Sequence, residues 1–245
     1  MNGWVYKRVP AGILLVAGVL SMAAQETGPQ PGVVVPGALA GEAPSDAVKL
    51  FDGRGVEEWV YRDGRAAQWP VVDGALVSKS GTGNIYSRRK FGSAQIHVEF
   101  ATPYMPDAHG QARGNSGVYL QGRYEIQVLD SFNNPTYANG SAGALYGQYA
   151  PLVNVSRPPK EWQVYDIVFH APTCGADGKP AVPGTVTVLY NGVLVQDHVT
   201  IRGRTTGGDD TDVCADGPLM LQDHYHPSVK ATFMQFRNIW VRPLP

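Results

Sequence analysis

Short runs rich in Val, Ile, Tyr and Phe recur along this chain, each ended by Gly, Pro, Asn or Asp. Past the N-terminus, no stretch keeps the 3.6-residue period of a capped helix. The runs are Val48–Phe51, Trp69–Val72, Ala75–Ser78, Asn84–Ser87, Ala94–Phe100, Gly117–Leu120, Tyr124–Leu129, Gln163–His170, Thr185–Tyr190, Val193–His198, Leu219–Gln222 and Phe233–Val241. Asp73-Gly74 and Asn191-Gly192 stand between pairs of them, and such dipeptides close two-residue hairpins. Many short strands joined by tight turns predict an all-β domain, an antiparallel sandwich or jelly roll.

That domain is expected over residues 48–245. Before it, Lys7 and Arg8 precede an apolar run from Ala11 to Val19, followed by small residues around Ser21, Ala23 and Ala24. This layout predicts a secretory signal peptide over residues 1–24, with no stable membrane anchor once it is cleaved. The run is short for spanning, which takes roughly 20 apolar residues. Residues 25–47, rich in Gly, Pro and Ala, read as a disordered linker. A periplasmic or secreted protein follows from this reading. There an oxidising medium would permit Cys174 and Cys214 to bond, although sequence leaves their pairing open. A formal net charge of −1 favours neither nucleic acid nor an acidic membrane surface as partner. The oligomeric state is not legible.

The chemistry concentrates in RGNSGVYLQGRYEIQVLDS, residues 113–131. In a strand, Glu125 and Gln127 share one face while Ile126 and Val128 face the core. Asp130 joins the polar pair only if a bulge near Leu129 shifts the register. Carboxylate and amide groups on an open sheet face suit sugar hydroxyls or proton transfer. The Gly- and Pro-rich stretch from Asn133 to Glu161 is too long for a plain connection and is expected to wall one side of that face.

The order of several motifs resembles the 3-keto-disaccharide hydrolase family. These are LFDG at Leu50–Gly53, the run around Trp69–Leu76, NSGVYLQGRYEIQVLDS at Asn115–Ser131 and GALYGQYAP at Gly143–Pro151. EWQVYDIVF at Glu161–Phe169, LYNGVLVQD at Leu189–Asp197, GPLMLQDHYHPSV at Gly217–Val229 and FRNIWVRPL at Phe236–Leu244 follow. The resemblance implies a concanavalin-like jelly-roll β-sandwich of two antiparallel sheets, with a sugar site on its concave face. It also implies action on glycosides whose ring carries a ketone at C3. A more distant similarity is to laminarinase-type glucanases, whose E-x-D-x-x-E strand motif appears here as E-I-Q-V-L-D from Glu125 to Asp130.

A C3 ketone acidifies the proton on C2, and its removal permits expulsion of the C1 substituent, with water adding afterwards. Such chemistry needs a base, a stabiliser for the enolate oxygen and an acid for the leaving group. Glu125 is the expected base, with Asp130 and His224 as the further catalytic candidates. Arg113, Asn115, Tyr119, Gln127, Tyr146 and Gln222 are expected to bind a carbohydrate substrate, and Trp162 to pack in the core. The residues fix no cofactor, and His224 and His226 could ligate a divalent metal that polarises the ketone. A non-catalytic carbohydrate-binding module and an ordinary glucanase-type hydrolase are the alternative readings.

Overall fold

In the computed structural model, residues 33–224 and 233–245 are described. The signal-peptide expectation (1–24) and His226 lie outside them. Residues 34–245 form one compact unit; the other, Met1–Val33, falls almost wholly outside the described residues.

Fifteen strands follow in chain order: β1 (Val48–Phe51), β2 (Trp59–Tyr61), β3 (Val71–Val72), β4 (Ala75–Val77), β5 (Ile85–Phe91), β6 (Ala94–Ala101), β7 (Asn115–Leu120), β8 (Tyr124–Leu129), β9 (Gln163–His170), β10 (Thr173–Cys174), β11 (Pro180–Val182), β12 (Thr185–Tyr190), β13 (Val193–Thr200), β14 (Gly217–Leu221) and β15 (Gln235–Pro243). An eight-stranded sheet runs β13-β12-β9-β6-β15-β4-β3, with β1 also paired to β15. A five-stranded sheet runs β2-β5-β14-β7-β8. Every pairing is antiparallel, and the concanavalin-like jelly-roll sandwich expected from sequence is what the chain forms. The expected hairpins are in place: Asp73-Gly74 joins β3 to β4 and Asn191-Gly192 joins β12 to β13, all four residues with positive φ. β2, β10 and β11 carried too few residues for a periodic signal.

The core lies between the two sheets. The small sheet contributes Ile85, Val118, Leu120, Ile126, Val128, Leu219 and Leu221, and the large sheet Ile96, Val98, Phe100, Tyr165, Ile167, Phe169, Val186, Val188 and Phe236. Tyr165 packs between Phe100 (4.8 Å) and Tyr190 (4.9 Å), and its hydroxyl crosses the sandwich to donate to the Gln127 carbonyl at 2.6 Å. That bond fixes the height of β8 above the large sheet.

On the outer face of the large sheet, His97 Nδ1 meets Asp166 Oδ1 at 2.6 Å and the ring stacks on Trp240. Trp162 is on this outer side too, half-buried beneath the Arg237 guanidinium at 4.0 Å, and not in the core as expected. Strand alternation explains it: Gln163, Tyr165 and Ile167 take the inward positions of β9 and leave the even-numbered ones outside. Part of the expected linker is likewise held here. The Gly41 carbonyl accepts from Asn238 Nδ2 and Trp240 Nε1, both at 2.8 Å, and residues 35–47 carry their own turn hydrogen bonds.

Cys174 and Cys214 are bonded, with Cα atoms 5.8 Å apart. The bridge ties the β10–β11 hairpin to the loop 203–216. Closing a loop of 40 residues removes about 4 kcal/mol of unfolded-state chain entropy at most. Replacing both cysteines by serine is expected to lower Tm by roughly 10 °C in calorimetry. An unchanged Tm would show that other contacts hold the loop alone.

Candidate active site

The register of the small sheet lines up side chains in rows across strands. Tyr119 on β7 is paired with Glu125 on β8 and with Met220 on β14, and Met220 with Tyr86 on β5. In the next row Gly117 is paired with Gln127, and the Gln222 amide donates to the Gly117 carbonyl. Paired residues project to the same face. Glu125 and Gln127 thus leave the core side, where Ile126 and Val128 lie, as the alternation predicts.

The expected open face, however, is covered: all six residues of β8 are buried. Two distant segments cause this. Residues 143–146 run along the free edge of β8, with Gly143 N bonded to Gln127 O, Gln127 N to Ala144 O and Tyr146 N to Glu125 O, each at 3.0 Å. Further along the same edge, Thr205 accepts from the Glu125 backbone amide at 2.9 Å and donates to the Arg123 carbonyl at 3.0 Å.

Glu125 is 3% exposed and, among the described residues, has one side-chain hydrogen bond, accepted by Oε2 from the Tyr119 hydroxyl at 2.8 Å. Burial pushes its pKa from the ordinary 4.5 up to about 8, and the Tyr119 bond only partly opposes that. Neither nearby arginine neutralises it. Arg123 is spent on Gln121, Thr211 and the Ala215 carbonyl, and Arg113 on Asp130. Gly117 lies under the carboxylate, where a Cβ would meet Glu125 Oε1 at 2.5 Å and the Tyr119 ring at 2.7 Å. A glycine inside a strand pattern marks such close approach, so this signal was present in the sequence.

Around the carboxylate stand polar groups with capacity to spare. Gln222 Nε2 donates to the Tyr119 hydroxyl at 3.1 Å while its Oε1 is buried without a partner. Gln127 Nε2 donates to Gln111 Oε1 at 3.0 Å, and its Oε1 is likewise unpartnered. Two orphaned acceptors flanking one glycine are costly unless a donor arrives. Tyr146 pairs hydroxyl to hydroxyl with Tyr137 at 2.5 Å, and the Glu125 charge helps raise the Tyr137 pKa, after burial and Tyr146. Sequence reasoning passed over Tyr137 and Gln111 because both sit in loops without periodicity.

Asp130 is not brought to this group. The β7–β8 register runs from Asn115–Leu129 to Leu120–Tyr124 without a bulge, so the shift that Asp130 needed is missing. Its charge instead acts on Tyr190 of the opposite sheet, and its carboxylate pairs with Arg113 at 2.9 Å while capping the Phe132 amide. Asn115 is spent on holding Gln111, donating to its carbonyl at 2.8 Å. His224 is half-buried two residues beyond Gln222 and engaged in contacts of its own. Among the described residues, no three His, Cys, Asp or Glu side chains are grouped to hold a metal ion.

Comparison with known proteins places this geometry. A candidate glycosyl hydrolase of known structure from Parabacteroides distasonis is 43% identical, with 96% of this chain and all of that chain covered and a TM-score of 0.83. A second from the same organism, 20% identical over 80% of this chain and 93% of that one, shares the fold with a TM-score of 0.59. No curated protein matches. The model of the 3-keto-alpha-glucoside-1,2-lyase-like domain matches residues 46–242, and the chain belongs to that family.

Proposed function

We propose that this protein cleaves glycosides whose ring is oxidised at C3, with Glu125 as the base. One observation carries the reading: a dry carboxylate with no cationic partner among the described residues, lying beside unpartnered amide oxygens on a sheet face. A buried carboxyl group near pKa 8 is matched to taking a proton from carbon at neutral pH.

Glu125 takes the C2 proton. The C–H electrons move to the C3 oxygen as an enolate, then return to form the C1–C2 double bond as the C1–O bond breaks. The leaving oxygen needs a proton, and its donor is assigned to His224, two residues beyond Gln222 in the chain. The Tyr137–Tyr146 hydroxyl pair is assigned to the enolate oxygen, and Tyr119 holds Glu125 in place. Gln127 and Gln222 take ring hydroxyls on their free oxygens. Water adds across the double bond afterwards.

The glucanase alternative needs a second carboxyl group roughly 5–5.5 Å from the first for retention. Among the described residues no carboxylate acts on Glu125, whose pKa is set by burial and Tyr119 alone. Elimination needs no such pair. The same observation weighs against a simple sugar-binding module, which gains nothing from a dry carboxylate.

Three outcomes follow. Glu125→Gln should lower kcat on an aryl 3-keto-glucoside by roughly 10²- to 10⁴-fold; near-normal turnover would remove Glu125 as the base, and release from the unoxidised glucoside alone would remove the elimination. The pH dependence has two opposed limbs. The base works ionised, so kcat/KM should climb about tenfold per pH unit up to about 8 and then level. Stability runs the other way: the folded chain keeps a proton that the unfolded chain releases from pH 4.5 upward, so stability falls between 4.5 and about 8. Glu125→Gln should therefore raise Tm by several degrees at pH 8 and little at pH 4.5, as thermal melts would show. Gly117→Ala should abolish turnover while leaving the far-UV circular dichroism of the sheet intact, because its methyl group would displace the carboxylate.

A further inference from the structure

The side-chain amides beside Glu125 are not free to flip. An amide shows a ligand either its oxygen or its NH2 group, and the bonds it already makes decide which. Gln127 is 1% exposed, and its Nε2 faces two oxygens, Gln111 Oε1 at 3.0 Å and the Gly140 carbonyl at 3.3 Å. A carbonyl has no proton to give. Gln111 is fixed in turn: its Nε2 donates to the Gly140 carbonyl at 2.9 Å and to Thr136 Oγ1 at 3.0 Å, while Asn115 Nδ2 lies 3.3 Å from its Oε1. Reversing Gln127 would set oxygen against oxygen twice. Its buried Oε1 is therefore the atom left over.

Gln222 is fixed by another route. The Tyr119 hydroxyl has two acceptors in reach, Glu125 Oε2 at 2.8 Å and the Thr206 carbonyl at 3.2 Å. With Glu125 ionised, the single phenol proton goes to the carboxylate. With Glu125 protonated, it goes to the Thr206 carbonyl, and the carboxyl proton points at the phenol oxygen. In neither state is a proton left for Gln222. The phenol oxygen accepts from Gln222 Nε2 at 3.1 Å, and Gln222 Oε1 is left over.

Both amides thus present acceptors, and a buried acceptor without a donor is costly. A ring hydroxyl brings a donor, and a ketone oxygen does not. The donor for a ketone stands elsewhere: in the Tyr137–Tyr146 hydroxyl pair one proton joins the two oxygens and the other is spare. Tyr137 is seated on the same turn that fixes the amides, since a Cβ on Gly140 would meet its ring at 2.0 Å. Gln111, Tyr146 and Gln222 are half-buried and Tyr137 is exposed, so the group reaches the surface.

We infer that Gln111 is a positioning residue that makes the site read which ring carbon is oxidised. By holding the Gln127 oxygen toward the substrate, it admits, together with Gln222, a ring with a hydroxyl at each amide and the ketone at the tyrosine pair. The inference rests on the Glu125 reading and names the substrate feature that this site selects.

The test is kcat/KM on an aryl 3-keto-glucoside and on three analogues with fluorine in place of the C2, C4 or C6 hydroxyl. Fluorine takes the place of the oxygen and donates nothing. The wild-type protein should lose roughly 10- to 100-fold at the position that meets Gln127, and again at the one that meets Gln222. The compounds' own reactivities cancel when two proteins are compared on one compound. Relative to the parent compound, Gln127→Met should regain most of the first loss, and Gln111→Met should regain it at the same ring position. Gln222→Met should regain the second loss, at a different position. Gln111→Glu keeps an oxygen facing Gln127 Nε2 and should keep the whole loss, which loosened packing would not do. Gln111→Ala takes the place of the Met variant if that protein does not fold. Equal losses in all the proteins overturn the inference, and so does a regain in Gln111→Glu that matches Gln111→Met. In either case turnover of the parent compound leaves the Glu125 reading standing. No turnover of the parent by the wild-type protein overturns both.

Discussion

Dehydration of β8 is the condition on which the site depends. A strand at the border of a five-stranded sheet would ordinarily keep one face and one edge in water. Here Tyr165 grips its backbone from below, residues 143–146 occupy its edge, and Thr205 caps the same edge at the Glu125 amide. Each contact comes from a segment far along the chain. Together they take water from a carboxylate and leave it one hydroxyl in return. Without that covering, Glu125 would titrate as an ordinary acid and be ionised, hydrated and weakly basic at neutral pH.

Two carboxylates five residues apart show how far environment outweighs residue type. Both are buried, and burial raises the pKa of both. Asp130 faces an arginine that opposes the shift, accepts from a backbone amide and fixes a turn. Among the described residues, Glu125 faces only a phenol. The first arrangement resembles a rivet, since removing either partner would strand a charge. The second is held at a pKa raised to about 8 by burial.

What sequence made legible was local. Alternation in YEIQVL placed Ile126 and Val128 inward and Glu125 and Gln127 on the other side, and the Asp-Gly and Asn-Gly pairs located two hairpins. Strands β8, β9 and β12 have the bounds their patterns predict. What it hid was non-local. Nothing in the neighbourhood of Glu125 announces that Ala144 and Thr205 will cover it, and nothing near Gln127 announces Gln111. The register at Asp130 could have gone either way, because a single inserted residue would have turned it outward. Trp162 was misplaced for a related reason: an aromatic residue beside an apolar strand reads as core, while the pleat sends it to the other side, where Arg237 covers it.

The position of β15 carries a consequence for biogenesis. Among the described strands it comes last in chain order, yet it lies inside the large sheet, hydrogen-bonded to β6, β4 and β1, the last of these the first in chain order. Until it emerges, β6 and β4 have no common neighbour, and the sandwich has a gap through its middle. Stepwise folding during synthesis is therefore blocked, and the nascent chain must be kept from pairing its bare strand edges with other chains.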